Sequence, residues 1–218
     1  MKTPQHLEVS ELFFSIQGES SYAGQPCVFI RLSGCNLRCR YCDAGYTYEE
    51  PGTLRDIGEI LSFAGQYPDF PVEITGGEPL LQDNVYPLME ELLKAGRKVL
   101  LETNGSINLA KVPAGVARIM DVKCPGSKMH EHLEKGNLEL LGPGDELKFV
   151  LCSRADYDWA TALIRKTPIN KSVIIHVSPV PGELDPARLA EWILEDRLPV
   201  RLQLQLHKII WPGINRGK

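Results

Sequence analysis

Val72-Glu73-Ile74-Thr75 is a short, mostly β-branched run that stops at Gly76-Gly77. Val85, Leu88, Met89, Leu92 and Leu93 follow at helical spacing, and Gly96 stands where such a helix would end. Val99-Leu100-Leu101-Glu102-Thr103 is a second apolar run. Strand, helix and strand in that order make a βαβ unit, whose two strands lie parallel. The same alternation extends in both directions. Upstream, Cys27-Val28-Phe29-Ile30-Arg31-Leu32 reads as a strand ending at Ser33-Gly34. A helix opening near Thr53 follows, with Leu54, Ile57, Leu61 and Ala64 on one face. Downstream, 118–123, 147–151, 173–177 and 201–206 read as strands. Ser153 can cap a helix carrying Ala155, Trp159, Ala162 and Leu163. Asp185 before Pro186 opens another with Leu189, Trp192 and Ile193. The expected fold is α/β. An open, partial parallel βα barrel of about six βα units fits the length better than a doubly wound sheet or a full eightfold barrel. It forms a single domain over 1–218.

A chain of 218 residues suits one domain that buries roughly 70% of its unfolded surface. The formal charge of −4 argues against nucleic acid or a membrane surface as partner, since both select basic patches. No run of about 18 apolar residues is present, and the first residues lack the apolar core of a signal peptide. A cytoplasmic location is expected.

Parallel βα architectures place chemistry at the C-terminal ends of their strands. Gly34-Cys35, Thr75-Gly76-Gly77-Glu78, Glu102-Thr103-Asn104-Gly105, Asp121-Val122-Lys123 and Ser178-Pro179 all fall there. Three of the six cysteines, Cys35, Cys39 and Cys42, are spaced CxxxCxxC. Three thiolates are one short of the usual four for an iron–sulfur cluster, which leaves one iron open to a ligand. The competing reading is structural zinc. It requires a fourth ligand, and the nearest downstream histidines are His130 and His132. Cys27, Cys124 and Cys152 read as packing residues, and His130-Glu131-His132 as a solvated loop.

CxxxCxxC with Tyr41 before its last cysteine resembles the signature of the radical S-adenosylmethionine enzymes, and Gly76-Gly77-Glu78-Pro79 resembles their GGEP motif. Ser15-Ile16-Gln17-Gly18-Glu19, Arg31-Leu32-Ser33-Gly34-Cys35-Asn36-Leu37, Cys42-Asp43 and Glu102-Thr103-Asn104-Gly105 narrow the resemblance to the 7-carboxy-7-deazaguanine synthase family over nearly the whole chain. The resemblance implies a 4Fe–4S cluster on Cys35, Cys39 and Cys42, with S-adenosylmethionine chelated by the open iron. One-electron cleavage of that cofactor would give a 5′-deoxyadenosyl radical. The substrate implied is 6-carboxy-5,6,7,8-tetrahydropterin, rearranged to 7-carboxy-7-deazaguanine with loss of ammonia on the way to queuosine. S-adenosylmethionine would be regenerated each cycle. A one-electron donor such as flavodoxin and a homodimeric state are further implications.

By motif match, Ile16, Gln17, Gly18, Glu19, Arg31 and Thr75 would hold the substrate. Tyr41, Cys42, Asp43, Gly77, Glu78, Asp121, Val122, Lys123 and the segment Ser178, Pro179, Val180 and Pro181 would line the cofactor pocket. Arg31 carries its own signal, because a guanidinium inside an apolar strand needs an anion: a substrate carboxylate, or a barrel carboxylate such as Glu73 or Glu102. Gly76 and Gly77, lacking Cβ atoms, would let the backbone approach the ligand. Leu202, Leu204 and Leu206 alternate with Arg201, Gln203, Gln205 and His207. Leucines packed on helices would put the polar set inside the barrel and His207 near the substrate; an edge strand with one wet face reads equally well.

One position departs from the family pattern. Its members place Thr or Ser directly after Cys-Asp, where the hydroxyl ligates magnesium, and this chain has Ala44. A methyl group cannot ligate a hard cation. Thr47 or a backbone carbonyl would have to serve, so magnesium is left in doubt. Two other readings stand beside the synthase: a radical enzyme that activates a protein substrate by forming a glycyl radical, and a non-enzymatic binding module stabilised by zinc.

Overall fold

The structure is a computed structural model and describes residues 5–214 and 216–218. In chain order its elements are β1 (His6–Ile16), β2 (Pro26–Leu32), α1 (Tyr46–Glu49), β3 (Thr53–Asp56), α2 (Ile57–Gly65), β4 (Val72–Gly76), α3 (Val85–Lys94) and β5 (Val99–Thr103). There follow β6 (Ala117–Lys123), α4 (Asn137–Leu140), β7 (Glu146–Leu151), α5 (Arg154–Lys166), β8 (Ile174–Pro179), α6 (Pro186–Glu195), β9 (Arg201–Leu202) and α7 (Leu206–Ile210). The strands form a single sheet in the order β3-β1-β2-β4-β5-β6-β7-β8-β9. From β2 to β9 every neighbouring pair is parallel, whereas β1 runs antiparallel to both β2 and β3. The sheet is open, with β3 at one edge and β9 at the other.

Period-two alternation along the parallel strands assigns the two faces. Val28, Ile30, Val72, Ile74, Val99, Leu101, Met120, Val122, Leu147, Phe149 and Val177 belong to the main apolar core with the helices. The intervening residues Phe29, Arg31, Glu73, Thr75, Glu102, Ile119, Asp121, Lys123, Lys148 and Val150 line a cavity on the other face. At about 25 cal/mol per Å² of apolar surface removed from water, the first set supplies most of the driving force for folding. The second set is free to carry chemistry. Capping is local and legible. The Ser153 hydroxyl accepts from the Asp156 amide, the Asp185 carboxylate from the Ala187 amide, and Gly96 adopts φ +73° just past α3.

Several expectations are corrected. Residues 53–56 are not the first turn of a helix but strand β3, paired with β1, and Leu54 points to solvent at 62% exposure. The buried face of α2 is Ile57, Ile60 and Ala64; α5 buries Asp156, Tyr157, Ala160 and Thr161, with Trp159 and Leu163 packed against the core and Ala155 exposed. Strand 201–206 shortens to Arg201–Leu202 and the chain turns into α7. Leu202 and Leu204 do not pack on helices and stay exposed, while Gln203 is buried because its side chain is bonded at both ends to the backbone of Ser20. β1 had no counterpart in the sequence reading, although Leu7 and Val9, both buried, alternate with exposed His6 and Glu8.

Candidate active site

Cys35, Cys39 and Cys42 sit on the loop after β2 and face the cavity. Leu37, buried, anchors the loop from within. Arg40 anchors it from outside through a two-pronged pair with Glu183 at 2.6 and 2.9 Å and a bond from Nε to the Gly126 carbonyl. Tyr41 donates to the Val150 carbonyl at 2.9 Å. Burial pushes the Cys39 thiol up to about 11, with Lys123 opposing the shift, so iron would displace protons on binding. Among the described residues no group of three or more His, Cys, Asp or Glu is gathered where one metal ion could sit. A single zinc ion requires such convergence; a cluster spreads its thiolates over separate irons, and the three cysteines on one cavity wall suit it.

Gly76 and Gly77 line the same wall, and packing within the chain also requires them. A Cβ on Gly76 would stand 2.2 Å from the Leu32 carbonyl oxygen, and one on Gly77 2.0 Å from that of Gly34. The two glycines let the β4 loop lie against the cysteine loop. Glu78 is fully buried and does not line the cavity. Its carboxylate accepts from the Leu80 and Asn104 amides and from the Thr103 hydroxyl, and burial raises its pKa to about 6. It thereby fixes the end of β5, from which Asn104 reaches Asn36 at 3.1 Å.

Of the other residues matched to a cofactor role, Tyr41, Asp43, Asp121 and Lys123 line the cavity. Asp121 pairs with Lys123 at 2.9 Å while its Oδ1 is buried without a hydrogen-bond partner, an acceptor left for a ligand. Val122 points the other way, into the core, as alternation along β6 demands. Ser178 and Pro179 lie behind the wall, and Val180 and Pro181 reach the cavity instead.

The residues matched to the substrate converge. Ile16, Gln17, Gly18, Glu19, Arg31, Thr75 and His207 all line the cavity. Arg31 pairs with Glu11 of β1, not with Glu73 or Glu102, through Nε at 3.1 Å, and Tyr46 shares that carboxylate at 2.7 Å. Thr75 donates to Glu102 at 3.0 Å, and the Gln17 amide donates to Glu73. Burial, then the Glu102 charge, raises Glu73 well above an ordinary carboxyl, so it keeps its proton further up the pH range. Burial lowers the His207 imidazole despite Glu19 and Asp43 nearby.

Lys148 was not singled out in the sequence. Its ammonium, 4% exposed, touches Glu19, Glu102 at 2.5 Å and Asp121 at 3.4 Å. Burial works against its charge, and three carboxylates overcome it, holding the pKa well above the usual lysine value. Glu19 responds in kind: burial would raise it, and Lys148 outweighs burial and lowers it. The signal was available. Lys148 interrupts Leu147-Phe149-Val150-Leu151 as Arg31 interrupts β2. Thr47 and Gln205, both named from the sequence, reach the cavity, as do Tyr46 and Lys208, which carried no such mark.

Comparison with known proteins agrees with this geometry. A model of the Radical SAM superfamily matches residues 29–123. The 7-carboxy-7-deazaguanine synthase of Chlorobaculum tepidum is 47% identical over 220 residues, covering all of both chains. That of Koribacter versatilis is 43% identical over 97% of this chain and all of its own. The crystal structure of QueE from Escherichia coli superposes with a TM-score of 0.76 over 93% of this chain and 95% of that one, at 24% identity.

Proposed function

Since the chain belongs to the 7-carboxy-7-deazaguanine synthases of the radical S-adenosylmethionine superfamily, we propose that its cavity rearranges 6-carboxy-5,6,7,8-tetrahydropterin to 7-carboxy-7-deazaguanine with release of ammonia, as a step toward queuosine. The observation that carries this reading is the shared cavity. Three thiols, a guanidinium and a set of carboxylates and amides from successive strand ends face one space.

Cys35, Cys39 and Cys42 would hold a 4Fe–4S cluster, and Asp121, Lys123, Tyr41 and Gly77 would flank S-adenosylmethionine beside it. When bound, this pair supplies a carbon radical by one-electron cleavage of the sulfonium and takes the hydrogen back at the end of the cycle. The protein's own groups bind and orient. Arg31 has Nε committed to Glu11, which leaves its terminal nitrogens for the substrate carboxylate. A pterin edge rich in N–H donors meets acceptors on Glu102 and on the Gln17 side chain. Burial and the Glu102 charge raise the Glu73 carboxyl, which favours its protonated form, and loss of ammonia from the ring needs a proton delivered to nitrogen. Lys148 holds Glu19, Glu102 and Asp121 in place and lowers the Glu19 carboxyl against the effect of burial. A hydroxyl ligand for magnesium is missing at Ala44, and no step here is assigned to that ion.

The reading carries with it a single catalytic domain, a flavodoxin-like electron donor, a cytoplasmic setting and a homodimer. Among the described residues no helix is long and apolar enough to cross a membrane. The test is anaerobic reconstitution followed by incubation with S-adenosylmethionine, a reductant and the carboxylated tetrahydropterin. Deazaguanine formed without net loss of S-adenosylmethionine is the expected result. Cofactor cleavage without that product would assign the chain to another radical reaction.

A further inference from the structure

At the corner of the cavity next to the cysteine loop, the cation beside Asp43 is a side chain. Nζ of Lys208 lies 2.8 Å from Oδ2 of Asp43, and both residues line the cavity along with Arg31 and His207. A divalent ion at this corner needs hard oxygen ligands. Position 44 offers a methyl group. The Ala44 carbonyl accepts from the Thr47 amide at 3.0 Å and from the Thr47 hydroxyl at 2.7 Å, so both of its lone pairs are engaged. Thr47 is buried, and its own carbonyl accepts from the Gly34 amide at 2.7 Å. The Ala44 carbonyl is thus filled, the Thr47 hydroxyl is turned toward it, and among the described residues no group of three or more His, Cys, Asp or Glu is gathered where a metal ion could sit. What remains is one carboxylate with an ammonium on it. A second, doubly charged cation placed there would be repelled by Lys208.

We propose that Lys208 does the work of a divalent cation in this enzyme. Its ammonium, braced by Asp43, neutralises the substrate carboxylate together with Arg31, and turnover needs no magnesium. The inference rests on the pterin reading above for the identity of the carboxylate, but not for the lack of a metal site.

The test therefore has a binding arm and a turnover arm. Cluster-loaded protein with S-adenosylmethionine is titrated with Mn2+ in the presence of 6-carboxypterin, the oxidised and unreactive form of the substrate, and free Mn2+ is followed by electron paramagnetic resonance. Native protein is expected to bind no stoichiometric Mn2+, and its turnover is expected to be the same in EDTA and in magnesium. Lys208→Ala should raise KM for the carboxylated tetrahydropterin about tenfold or more with a smaller effect on kcat. The double variant Ala44→Thr with Lys208→Ala should acquire a Mn2+ site. One Mn2+ bound per native chain, or native turnover lost in EDTA and restored by magnesium, overturns the proposal. If native protein turns over no pterin at all, the assigned reaction fails. The Mn2+ titration then still decides the site: binding to native protein overturns the proposal, and a site gained only in the double variant supports it.

Discussion

The His207 imidazole lies directly on the Cα of Gly18, so that a methyl group added there would stand 2.1 Å from Nδ1 and 3.0 Å from Cβ of the histidine. The Leu206 amide donates to the Gly18 carbonyl at 2.9 Å and holds α7 in the same place. Gly18→Ala must therefore move His207 or the loop that carries Gln17 and Glu19. The expected outcome is a rise of about tenfold or more in KM for the carboxylated tetrahydropterin, since displacing a positioning contact by about an ångström costs on that scale or above. Thermal unfolding should shift little, because half-buried α7 contributes little to the core. Steady-state kinetics beside a melting curve checks both.

Lys148 is enclosed by Glu19, Glu102 and Asp121. Lys148→Met keeps much of the volume and removes the charge, leaving three carboxylates crowded together in a poorly solvated space. A loss of about 3–5 kcal/mol is expected, read from denaturant unfolding. If Glu102→Gln added to Lys148→Met restores part of it, the cost is repulsion rather than lost packing.

Glu78 ionises in the folded chain at about 6 against an ordinary 4.5. The folded state thus holds a proton that the unfolded state has released between those two values, and stability falls as pH rises through that window. The shift corresponds to about 2 kcal/mol at neutral pH. Glu78→Gln should flatten the change in unfolding free energy between about pH 4.5 and about pH 7 by that amount. An unchanged slope would place the proton elsewhere.

Cys39→Ala removes one of three thiolates. Iron and sulfide content after anaerobic reconstitution should fall to background with the brown absorption, and turnover should vanish with it. A variant that keeps its colour and activity would remove the cluster from Cys35, Cys39 and Cys42.

Arg31→Lys keeps a positive charge near Glu11 but loses the planar fork. KM for the pterin should rise while the melting temperature is nearly unchanged. A fall in stability with KM intact would assign Arg31 to Glu11 alone.

The parallel half of the sheet was legible because each strand is a short apolar run bounded by glycine or a helix cap, as at Val72–Gly76 and Asp185-Pro186. The antiparallel edge was not. β1 buries only part of one side, and Leu54 on β3 makes the residues after it look helical while itself facing water. Charge inside an apolar strand gave away Arg31 and could have given away Lys148. Lys208 and Thr47 sit in segments with no periodicity, where only the folded chain reveals that they face the cavity. The polar half of 201–206 was found for the wrong reason: Gln203 and Gln205 turn inward to hydrogen-bond Ser20 and Glu19, while Leu202 and Leu204 are left in water.

Gln203 grips Ser20 by both its amide and its carbonyl, as the backbone of an adjoining strand would, and Tyr22 from the same turn rests on Leu100, Ala117 and Ile119 at the foot of the sheet. The far end of the half-barrel is thus stoppered by a turn held by side chains, the Gln203 amide on Ser20 and the Glu146 carboxylate on the Ser21 amide. Loosening that stopper breaks a few side-chain hydrogen bonds, where parting two strands would break a whole ladder. Amide-hydrogen exchange should therefore be faster at Ser20 than anywhere along β4 to β7, and leakage of solvent into the reaction space would begin there.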